Sequence, residues 1–588
     1  MSVEGLEPST NGLKGRCSAI ELHAHLTTNV SLALWRIFVN RFAEIHDNSR
    51  GLTNLFEYNI TMSIFSGTFV CFVLILGVLY FLIPKKFQWT VLLAGNLIFY
   101  AWSGPKYLVY ILSCAFFTWF AALQIEKINN GLRQKLSDIS DKDEKTVLRK
   151  AAGKQKQIWL SAAMILTLGV WIVLKYGLFL LDLFNPAFTL FEADRPAGLL
   201  SLIVPLGMSF YTFDAIGYMI DISRKKYPAD RNYFHYLTFV SFFPHIIQGP
   251  FSRYDKLSET LFAFHGFSYD RLCQGASRIL WGYFKKLIIA DKLAAAVNEI
   301  FVNYENYWGI HILFVTVLYG LQVYADFSGY MDIVSGISHV LGITLEKNFE
   351  QPYFAVSVES FWRRWHMTLG HWFRDYLFYP ISMSKSIQRI GKKARERFGP
   401  RTGKLVISYF SMIPVWTVTG LWHGANVTFL IWGWLNMLVM MISQALDPVY
   451  EKMRNFCHIS LQNKLWNAFR IIRTFCLICF LRFFSRADSL RTALHMLQKV
   501  SAGINRKLLL HPLQLFPQMR PQDVYIVLVG AAMMLFVDIL CEKGKWEKTK
   551  EKTPFIIRDL IYVILIYIII LFAGTGEDIA KNFIYANF

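Results

Sequence analysis

Long apolar runs separated by short polar segments make up most of this chain. A hydrocarbon core about 30 Å thick is crossed by about 20 apolar residues in an α-helix. Eleven runs are apolar enough to be candidates, although one of them is short. They cover residues 63–83, 89–103, 106–125, 158–184, 199–221, 309–328, 405–421, 426–446, 469–485, 524–541 and 557–574. This pattern predicts an all-α polytopic membrane protein.

Other apolar stretches are short or are interrupted by polar residues. They cover residues 236–251, residues 275–300 and the flanks of 331–379. We interpret them as re-entrant or interfacial helices, because irregular backbone at membrane depth is tolerated only inside the protein or beside a cavity. The expected fold therefore has about 10–12 transmembrane helices together with these segments, arranged around a central tunnel.

The composition agrees with lipid as the main surroundings of the chain. Of 588 residues, 54% are hydrophobic, 16% are aromatic and only 17% are charged, whereas about 25% are charged in an average soluble domain. A disordered chain needs low hydrophobicity and high charge, so that class is excluded. The net charge of +20 does not indicate a nucleic-acid partner, because Lys and Arg are concentrated in blocks between the apolar runs.

These basic blocks predict the orientation in the membrane. Residues 126–157 contain nine basic and five acidic residues, and residues 385–404 contain eight basic residues and one acidic residue. Loops rich in Lys and Arg remain in the cytoplasm. If residues 126–157 are cytoplasmic, the alternation of the spans places Lys85–Lys86 and Arg224–Lys226 inside as well. It places the acidic loop 192–194 outside, and the first span then begins outside. Their role in setting the membrane orientation is enough to explain the basic blocks. The alternative is that one of the blocks binds an acidic partner.

Residues 1–61 differ from the rest of the chain. They mix polar and weakly apolar residues and lack the apolar segment and cleavage site of a signal peptide. Met62 stands immediately before the first long apolar run. Our hypothesis is that translation begins at Met62 and that residues 1–61 are a misassigned start or a disordered extension. Residues 62–588 would then form a single membrane domain.

Polar residues within apolar sequence are costly in a membrane and are therefore candidates for function. They are concentrated in three clusters. The first is YADFSGYMD at 324–332, at the end of a predicted span. The second is SFWRRWHMTLGHWFRDY at 360–376. The third is TGLWHGAN at 419–426, between two long apolar runs.

Several of these motifs resemble those of the membrane-bound O-acyltransferase family. The motifs are WRRWH at 362–366, WFRDYL at 372–377, GLWHG at 420–424, YADFSGY at 324–330, SFYTFDAIGY at 209–218 and QGPFSRY at 248–254. The chain is most similar to the bacterial alginate O-acetyltransferase branch, which has two arginines where Arg363 and Arg364 stand here. Members that transfer D-alanine to teichoic acid usually have Asn-Arg there. The resemblance begins near Met62, and residues 1–61 have no counterpart.

The resemblance implies that two histidines are catalytic. Transfer of an acyl group from a thioester to a hydroxyl requires a base, and a neutral histidine serves near pH 7. His423 is the expected general base, and Gly420 and Gly424 beside it permit close backbone approach or a helix break. His366 would polarise the thioester carbonyl, orient the acceptor or brace His423. His371 does not share a helical face with His366 and is expected to be structural.

The charged residues near the histidines allow two interpretations. They form buried ion pairs that hold a re-entrant segment together, or they bind the phosphate of the donor's phosphopantetheine arm. The residues concerned are Arg363, Arg364, Arg374, Asp375 and Asp326. Trp422 and Asn426 are further candidate substrate contacts, although the tryptophans are expected mainly to pack the chamber walls. No metal site is expected.

By resemblance, the protein is an acetyltransferase of the bacterial plasma (inner) membrane. It would take an acetyl group from a cytoplasmic thioester, acetyl-CoA or an acyl carrier protein, and support O-acetylation of an exopolysaccharide or cell-wall polymer at the outer face. A separate extracytoplasmic acetyltransferase is an expected partner, and no permanently bound cofactor is implied. Two alternatives remain: transfer of D-alanine or another acyl group from a carrier protein to a teichoic-acid-like polymer, and a non-catalytic channel or transporter. The motif histidines and the lack of an internal repeat argue against transport.

Overall fold

The computed structural model describes residues 64–183 and 205–573, except residues 504, 506, 507 and 509. The proposed start at Met62, the segment 1–61 and the acidic loop 192–194 lie outside these residues. The described part is helical and contains one isolated β-bridge, between Phe349 and Trp365. The predicted all-α class is confirmed.

The described residues form a series of helices along the chain. They are α1 (Gly67–Leu82), α2 (Gln88–Trp102), α3 (Leu108–Ser137), α4 (Lys142–Leu183), α5 (Met208–Ser223), α6 (Tyr233–Val240), α7 (Phe243–Ile246), α8 (Tyr254–Leu261), α9 (Tyr269–Tyr283), α10 (Asp291–Val302), α11 (Gly309–Val340), α12 (Val358–Arg364), α13 (Met367–Phe373), α14 (Tyr379–Ser382), α15 (Lys385–Phe398), α16 (Pro400–His423), α17 (Val427–Phe456), α18 (Lys464–Arg486), α19 (Leu490–Ala502), α20 (Pro521–Glu542), α21 (Trp546–Lys552) and α22 (Phe555–Phe572). Segments Phe284–Ala290 and Arg374–Phe378 are π-helical.

Each predicted span corresponds to a helix. Among the described residues, 7 helices are long and apolar enough to cross a membrane, namely α3, α4, α11, α16, α17, α20 and α22. The remaining predicted runs form α1, α2, α5 and α18, which are shorter or more polar. The polytopic class is therefore confirmed. The expected total of about 10–12 spans counts these four helices as well.

The interrupted stretches are indeed broken helices. Residues 236–251 contain the end of α6 and the four-residue α7, and residues 275–300 change from α9 through a π-helical segment to α10. The segment 358–382 is divided into three short helices and a second π-helical segment. Such π segments inside helices often occur at functional sites.

The first polar cluster lies elsewhere than the sequence indicated. Residues 324–332 occupy the middle of α11, which continues to Val340, and not the end of a span. The helix can continue because its polar side chains have partners: Asp326 pairs with Lys286 at 2.6 Å, and Asp332 pairs with Lys285 at 2.6 Å. Buried charges are acceptable when they are paired in this way.

Glycines bring α11 and α9 into close contact. A Cβ atom on Gly282 would lie 2.6 Å from the carbonyl oxygen of Gly329, and one on Gly336 would lie 2.7 Å from that of Gly275. Small residues at helix interfaces allow membrane helices to pack backbone against backbone. This contact fixes the position of α11, whose Phe327 contacts His366.

Candidate active site

His423 is the last residue of α16, at a break between two long helices. Gly424 follows it, and α17 begins at Val427 with Asn426 as its N-cap. A Cβ atom on Gly420 would lie 2.7 Å from the carbonyl oxygen of Phe429, so α16 and α17 approach closely at this point. The helix break and the close approach expected around the GLWHG motif are both present.

The end of α16 is held by two side chains of α4. Lys175 donates a hydrogen bond from Nζ to the carbonyl oxygen of Trp422 at 2.6 Å, and the Tyr176 hydroxyl donates to that of Leu421 at 2.6 Å. The last carbonyls of a helix lack partners within it, and a cation there is favourable. The sequence analysis did not single out Lys175. A lone lysine in the apolar run 158–184 was the signal that could have identified it.

Aromatic rings surround the imidazole of His423, which is only 6% exposed. The ring centroids of Trp422 and Trp432 lie 4.8 and 4.9 Å from that of His423, and Phe429 stacks at 6.5 Å. The Nε1 atoms of both tryptophans are buried and have no hydrogen-bond partner among the described residues. Both indoles therefore retain a free donor beside the histidine.

His366 lies between α12 and α13 in a left-handed backbone conformation, with φ 47°. This region is uncommon for a residue other than glycine, and such strain is concentrated at functional sites. The Nδ1 atom lies 3.1 Å from Oδ1 of Asn348. The side chain is buried, being only 2% exposed. Its Nε2 atom has no hydrogen-bond partner among the described residues.

The structure brings the two predicted catalytic histidines into one aromatic chamber. The Trp422 ring centroid lies 5.9 Å from that of His366 and 4.8 Å from that of His423. Phe327 and Phe251 lie 4.8 and 5.8 Å from His366 on its other sides. We call this set of residues the histidine chamber. It contains polar atoms without partners within an apolar lining, as a small-molecule site requires.

The five charged candidates do not form one cluster. Asp326 is buried in α11 with Lys286. Arg363 is exposed and pairs with Glu359 on its own helix, whereas Arg364 pairs with Glu542 of α20 at 2.7 Å. Arg363 and Arg364 thus form ion pairs at the protein surface rather than buried ones.

Arg374 and Asp375 do lie together. Arg374 contacts Oδ1 of Asp375 at 2.9 Å, and Arg253 from the QGPFSRY motif pairs with the same carboxylate. Arg224 donates to the backbone carbonyl of Asp375 at 3.1 Å. Two arginines therefore pair with the Asp375 carboxylate, and Arg224 contacts its backbone carbonyl. Arg253 and Arg224 are both distant from Asp375 in sequence.

A polar cavity lies on the other side of Thr368 and Phe251 from His366. It is small, with a volume of about 10 Å³, and its lining includes Asp214, Asp221, Glu346, Arg253, Tyr376 and His371. Thr368 and Phe251 also line it, so the cavity and the histidine chamber share a wall. His371 is half-buried here; burial first, and Arg374 second, lower its pKa. The residues described contain no cluster of three or more potential metal ligands.

Asn426 and the tryptophans mainly serve packing. Asn426 Oδ1 accepts from the Thr428 amide at 3.0 Å, and its Nδ2 donates to the Asp488 carbonyl at 3.2 Å, so the side chain is engaged as a helix cap. Trp362 donates to Asn436 at 3.1 Å. Trp422 and Trp432 differ from them, because neither N–H has a partner among the described residues.

Comparison with known proteins gives related sequences over most of the chain. Probable alginate O-acetylase AlgI of Pseudomonas aeruginosa is 30% identical over 442 residues, 75% of this chain and 74% of the relative. Peptidoglycan O-acetyltransferase of Helicobacter pylori is 29% identical over 464 residues, 73% of this chain and 76% of the relative. Teichoic acid D-alanyltransferase of Bacillus subtilis is 27% identical over 295 residues, 48% of this chain and 68% of the relative.

A Pseudomonas syringae protein, also named probable alginate O-acetylase AlgI, is 33% identical over 60% of this chain and is matched over 61% of its length. The chain therefore spans between 61% and 76% of the length of these relatives. No family model matches the chain.

Proposed function

This chain belongs to the membrane-bound O-acyltransferase family, and on that premise we propose that it transfers an acetyl group from a thioester to a hydroxyl group of a polysaccharide or cell-wall polymer. The resemblance inferred from the motifs is thereby confirmed. The names of the alginate and peptidoglycan relatives support O-acetylation of a polymer rather than of a small alcohol. Residues 62–588 form the single catalytic domain in this proposal.

The observation that carries the proposal is the pair of buried histidines in one chamber. His423 acts as general base and removes the proton of the acceptor hydroxyl as its oxygen attacks the thioester carbon. The new C–O bond forms, the C–S bond breaks, and the protonated imidazole returns its proton to the leaving thiolate. His366 assists from beside the Trp422 ring, where its unpaired Nε2 can contact the acceptor hydroxyl or brace His423.

Trp422 supplies a donor for the charge that develops on the carbonyl oxygen. Its buried N–H has no partner among the described residues, and its ring contacts both imidazoles. A donor that is already desolvated and positioned is worth most where negative charge appears in the transition state. This role fits the earlier expectation that Trp422 contacts substrate. Asn426 acts instead by capping the helix that packs against His423.

The cavity beside the chamber is proposed as the approach of the donor from the cytoplasm. Arg253 lines this cavity and pairs with Asp375, which Arg374 and Arg224 also contact. The cavity lining also contains the carboxylates Asp214, Asp221 and Glu346, so the arginines are the groups available to an anion. A phosphate of acetyl-CoA or of a carrier protein's phosphopantetheine arm would find charge-assisted donors there. The basic loops orient this face towards the cytoplasm of a bacterial plasma membrane. The polymer, or an extracytoplasmic transferase, approaches from the outer face.

The second candidate function is D-alanyl transfer from a carrier protein to a teichoic-acid-like polymer. The similarity to a teichoic acid D-alanyltransferase over 48% of this chain favours keeping it. The pair Arg363–Arg364, in place of Asn-Arg, favours acetylation. Purified protein in vesicles should be given labelled acetyl-CoA, acetylated carrier protein or D-alanylated carrier protein in turn. Covalent label from an acetyl donor supports the proposal, label only from the D-alanyl donor supports the alternative, and no transfer from any donor favours transport.

The same assay tests the catalytic histidine. His423→Ala and His423→Gln should each reduce acyl transfer by at least the ~10²–10⁴-fold that a general base supplies. Both variants should remain monodisperse in detergent. Gln can hydrogen-bond but cannot take a proton, so a folded His423→Gln protein with near-normal transfer would disprove the assignment.

A further inference from the structure

The orientation of the Asn348 side chain is determined by its neighbours. Asn348 is 4% exposed. Its Oδ1 atom lies 3.2 Å from the backbone nitrogen of Thr368 and 3.0 Å from the Thr368 hydroxyl. A backbone N–H can only donate, so the atom that faces it must be the amide oxygen. The amide nitrogen faces the sulfur of Met331 at 3.2 Å, which is a weak acceptor and agrees with this orientation.

This oxygen in turn decides which nitrogen of His366 carries the proton. Nδ1 of His366 lies 3.1 Å from Asn348 Oδ1, and an oxygen that already accepts from Thr368 cannot donate to it. Nδ1 must therefore be the protonated nitrogen of the neutral ring. A neutral imidazole has only one N–H, so Nε2 carries a lone pair.

The unprotonated Nε2 atom belongs to the histidine chamber. It is buried, and no described residue donates to it. The ring around it is enclosed by Phe251, Phe327 and Trp422, which offer apolar contacts. A buried acceptor without a protein donor indicates that a ligand or a reacting group supplies one.

We propose that Asn348 is a positioning residue that fixes the tautomer of His366 and leaves Nε2 as the proton acceptor of the chamber. The inference rests on the proposed acyl transfer and deepens it. His366 then accepts a hydrogen bond from the acceptor hydroxyl or from His423. It does not polarise the thioester carbonyl, because that role requires an N–H at Nε2.

Three cationic or titratable groups around the chamber come from three different helices. They are His423 at the end of α16, Lys175 of α4 at 5.8 Å from the Trp422 ring centroid, and Arg482 of α18 at 3.8 Å from the Trp365 ring centroid. Each of these groups is cationic or can become so. Carboxylates are also close, because Asp326 is adjacent to Phe327 in α11 and because Asp214 and Glu346 line the cavity that contains Phe251. A carboxylate at position 348 would lie directly against Nδ1 of His366 and would favour the protonated form of the ring.

The test compares Asn348→Asp with Asn348→Ala in acyl-transfer assays across pH. Asn348→Asp keeps an acceptor for Nδ1–H but adds charge, so the acidic limb of the kcat profile should move by about one unit towards higher pH. Asn348→Ala leaves the ring free to adopt the other tautomer, so kcat should fall about tenfold or more. The KM for the donor should change little in both variants.

Asn96 provides a matched control. It is a fully buried asparagine whose Oδ1 accepts from the Phe243 amide at 3.0 Å and whose Nδ2 donates to the Thr238 carbonyl at 3.3 Å. Asn96→Asp and Asn96→Ala should affect folding yield as much as the changes at 348 do. Neither should move the pH profile, because no imidazole is bonded to that amide.

An Asn348→Asp enzyme with an unchanged pH profile, or a folded Asn348→Ala enzyme with unchanged kcat, would overturn the inference. If His366→Ala is inactive in either case, the proposed function survives without it. If His366→Ala instead retains full turnover, the assigned role of His366 and the inference both fail. Loss of folding in Asn348→Ala leaves Asn348→Asp as the deciding variant.

Discussion

The attachment of α16 to α4 can be tested by removing one hydrogen bond at a time. Lys175→Met keeps the length of the side chain and deletes the bond from Nζ to the Trp422 carbonyl, 2.6 Å long. Tyr176→Phe deletes the adjacent bond to the Leu421 carbonyl, also 2.6 Å long. The two bonds act on successive carbonyls at the same helix end, but one donor is charged and the other is neutral.

The expected losses differ because of that charge. A hydrogen bond from a charged group is worth about 1.5–3 kcal/mol, whereas a neutral one is worth about 0.5–1.5 kcal/mol. A cation at a helix C-terminus adds about 0.3–1 kcal/mol. Lys175→Met should therefore destabilise the protein by about 2–4 kcal/mol and Tyr176→Phe by about 1 kcal/mol. Since the affected carbonyls adjoin His423, kcat should fall as well, by up to ~10²-fold for a displacement of about 1 Å.

Lys156→Met is the matched control. Lys156, also in α4, donates to the carbonyl of Ser223 at the end of α5 at 3.1 Å, so it fastens a helix end that carries no histidine. Thermal midpoints in detergent at one scan rate should be measured together with initial rates of acetyl transfer. Lys156→Met should lower the midpoint without changing kcat. The reasoning is refuted if Lys175→Met keeps normal kcat and stability, or if Tyr176→Phe is the more damaging change.

Three further predictions concern the chamber, the cavity and the topology. Trp422→Phe keeps an aromatic ring but removes the free N–H, and it should lower kcat by ~10²-fold. The N–H of Trp171 donates to Ser209 at 3.0 Å, and Trp171→Phe should leave kcat nearly unchanged. Equal effects of the two substitutions would exclude the donor role. Arg253→Gln should raise the donor KM about tenfold, while Lys392→Gln, an exposed site, should not; an unchanged KM would place the donor elsewhere. In a background without native cysteines, Ser140→Cys should be shielded from impermeant thiol reagents in intact cells and Ala193→Cys should react; the reverse would invert the proposed orientation.

The sequence predicted those features that depend on neighbouring residues along the chain. Run length and apolar content predict a helix because the membrane itself sets the required length, and α16 and α17 therefore appear where 405–421 and 426–446 indicated. The break at His423 was likewise visible in Gly420 and Gly424. The prediction was wrong where we assumed that polar residues close in sequence would contact one another. Asp326 pairs with Lys286 of another segment, and not with the arginines of 363–374.

The residues that hold the two histidines in place could not be predicted, because they are distant from the histidines in sequence. Lys175 and Trp422 are 247 residues apart, and Asn348 reaches His366 across a turn that no periodicity describes. In sequence, Asn348 is one amide in a short polar segment. The turn brings the Thr368 amide to Asn348, and only that contact identifies the oxygen of the Asn348 amide. The oxygen then determines which nitrogen of His366 carries the proton.

The two histidines both lie at helix ends, and this position explains why other side chains must hold them. Each lies where a helix begins or ends, because His423 is the last residue of α16 and His366 is the N-cap of α13. A broken helix at membrane depth leaves carbonyls and amides without water, so the protein must satisfy them itself. Lys175 and Tyr176 do so for the helix that ends at His423, and Asn348 does so for the turn that carries His366, through its carbonyl to the Met367 amide and its side chain to Thr368. The residues that make an irregular backbone tolerable in the membrane are thus the same ones that set the position of each imidazole.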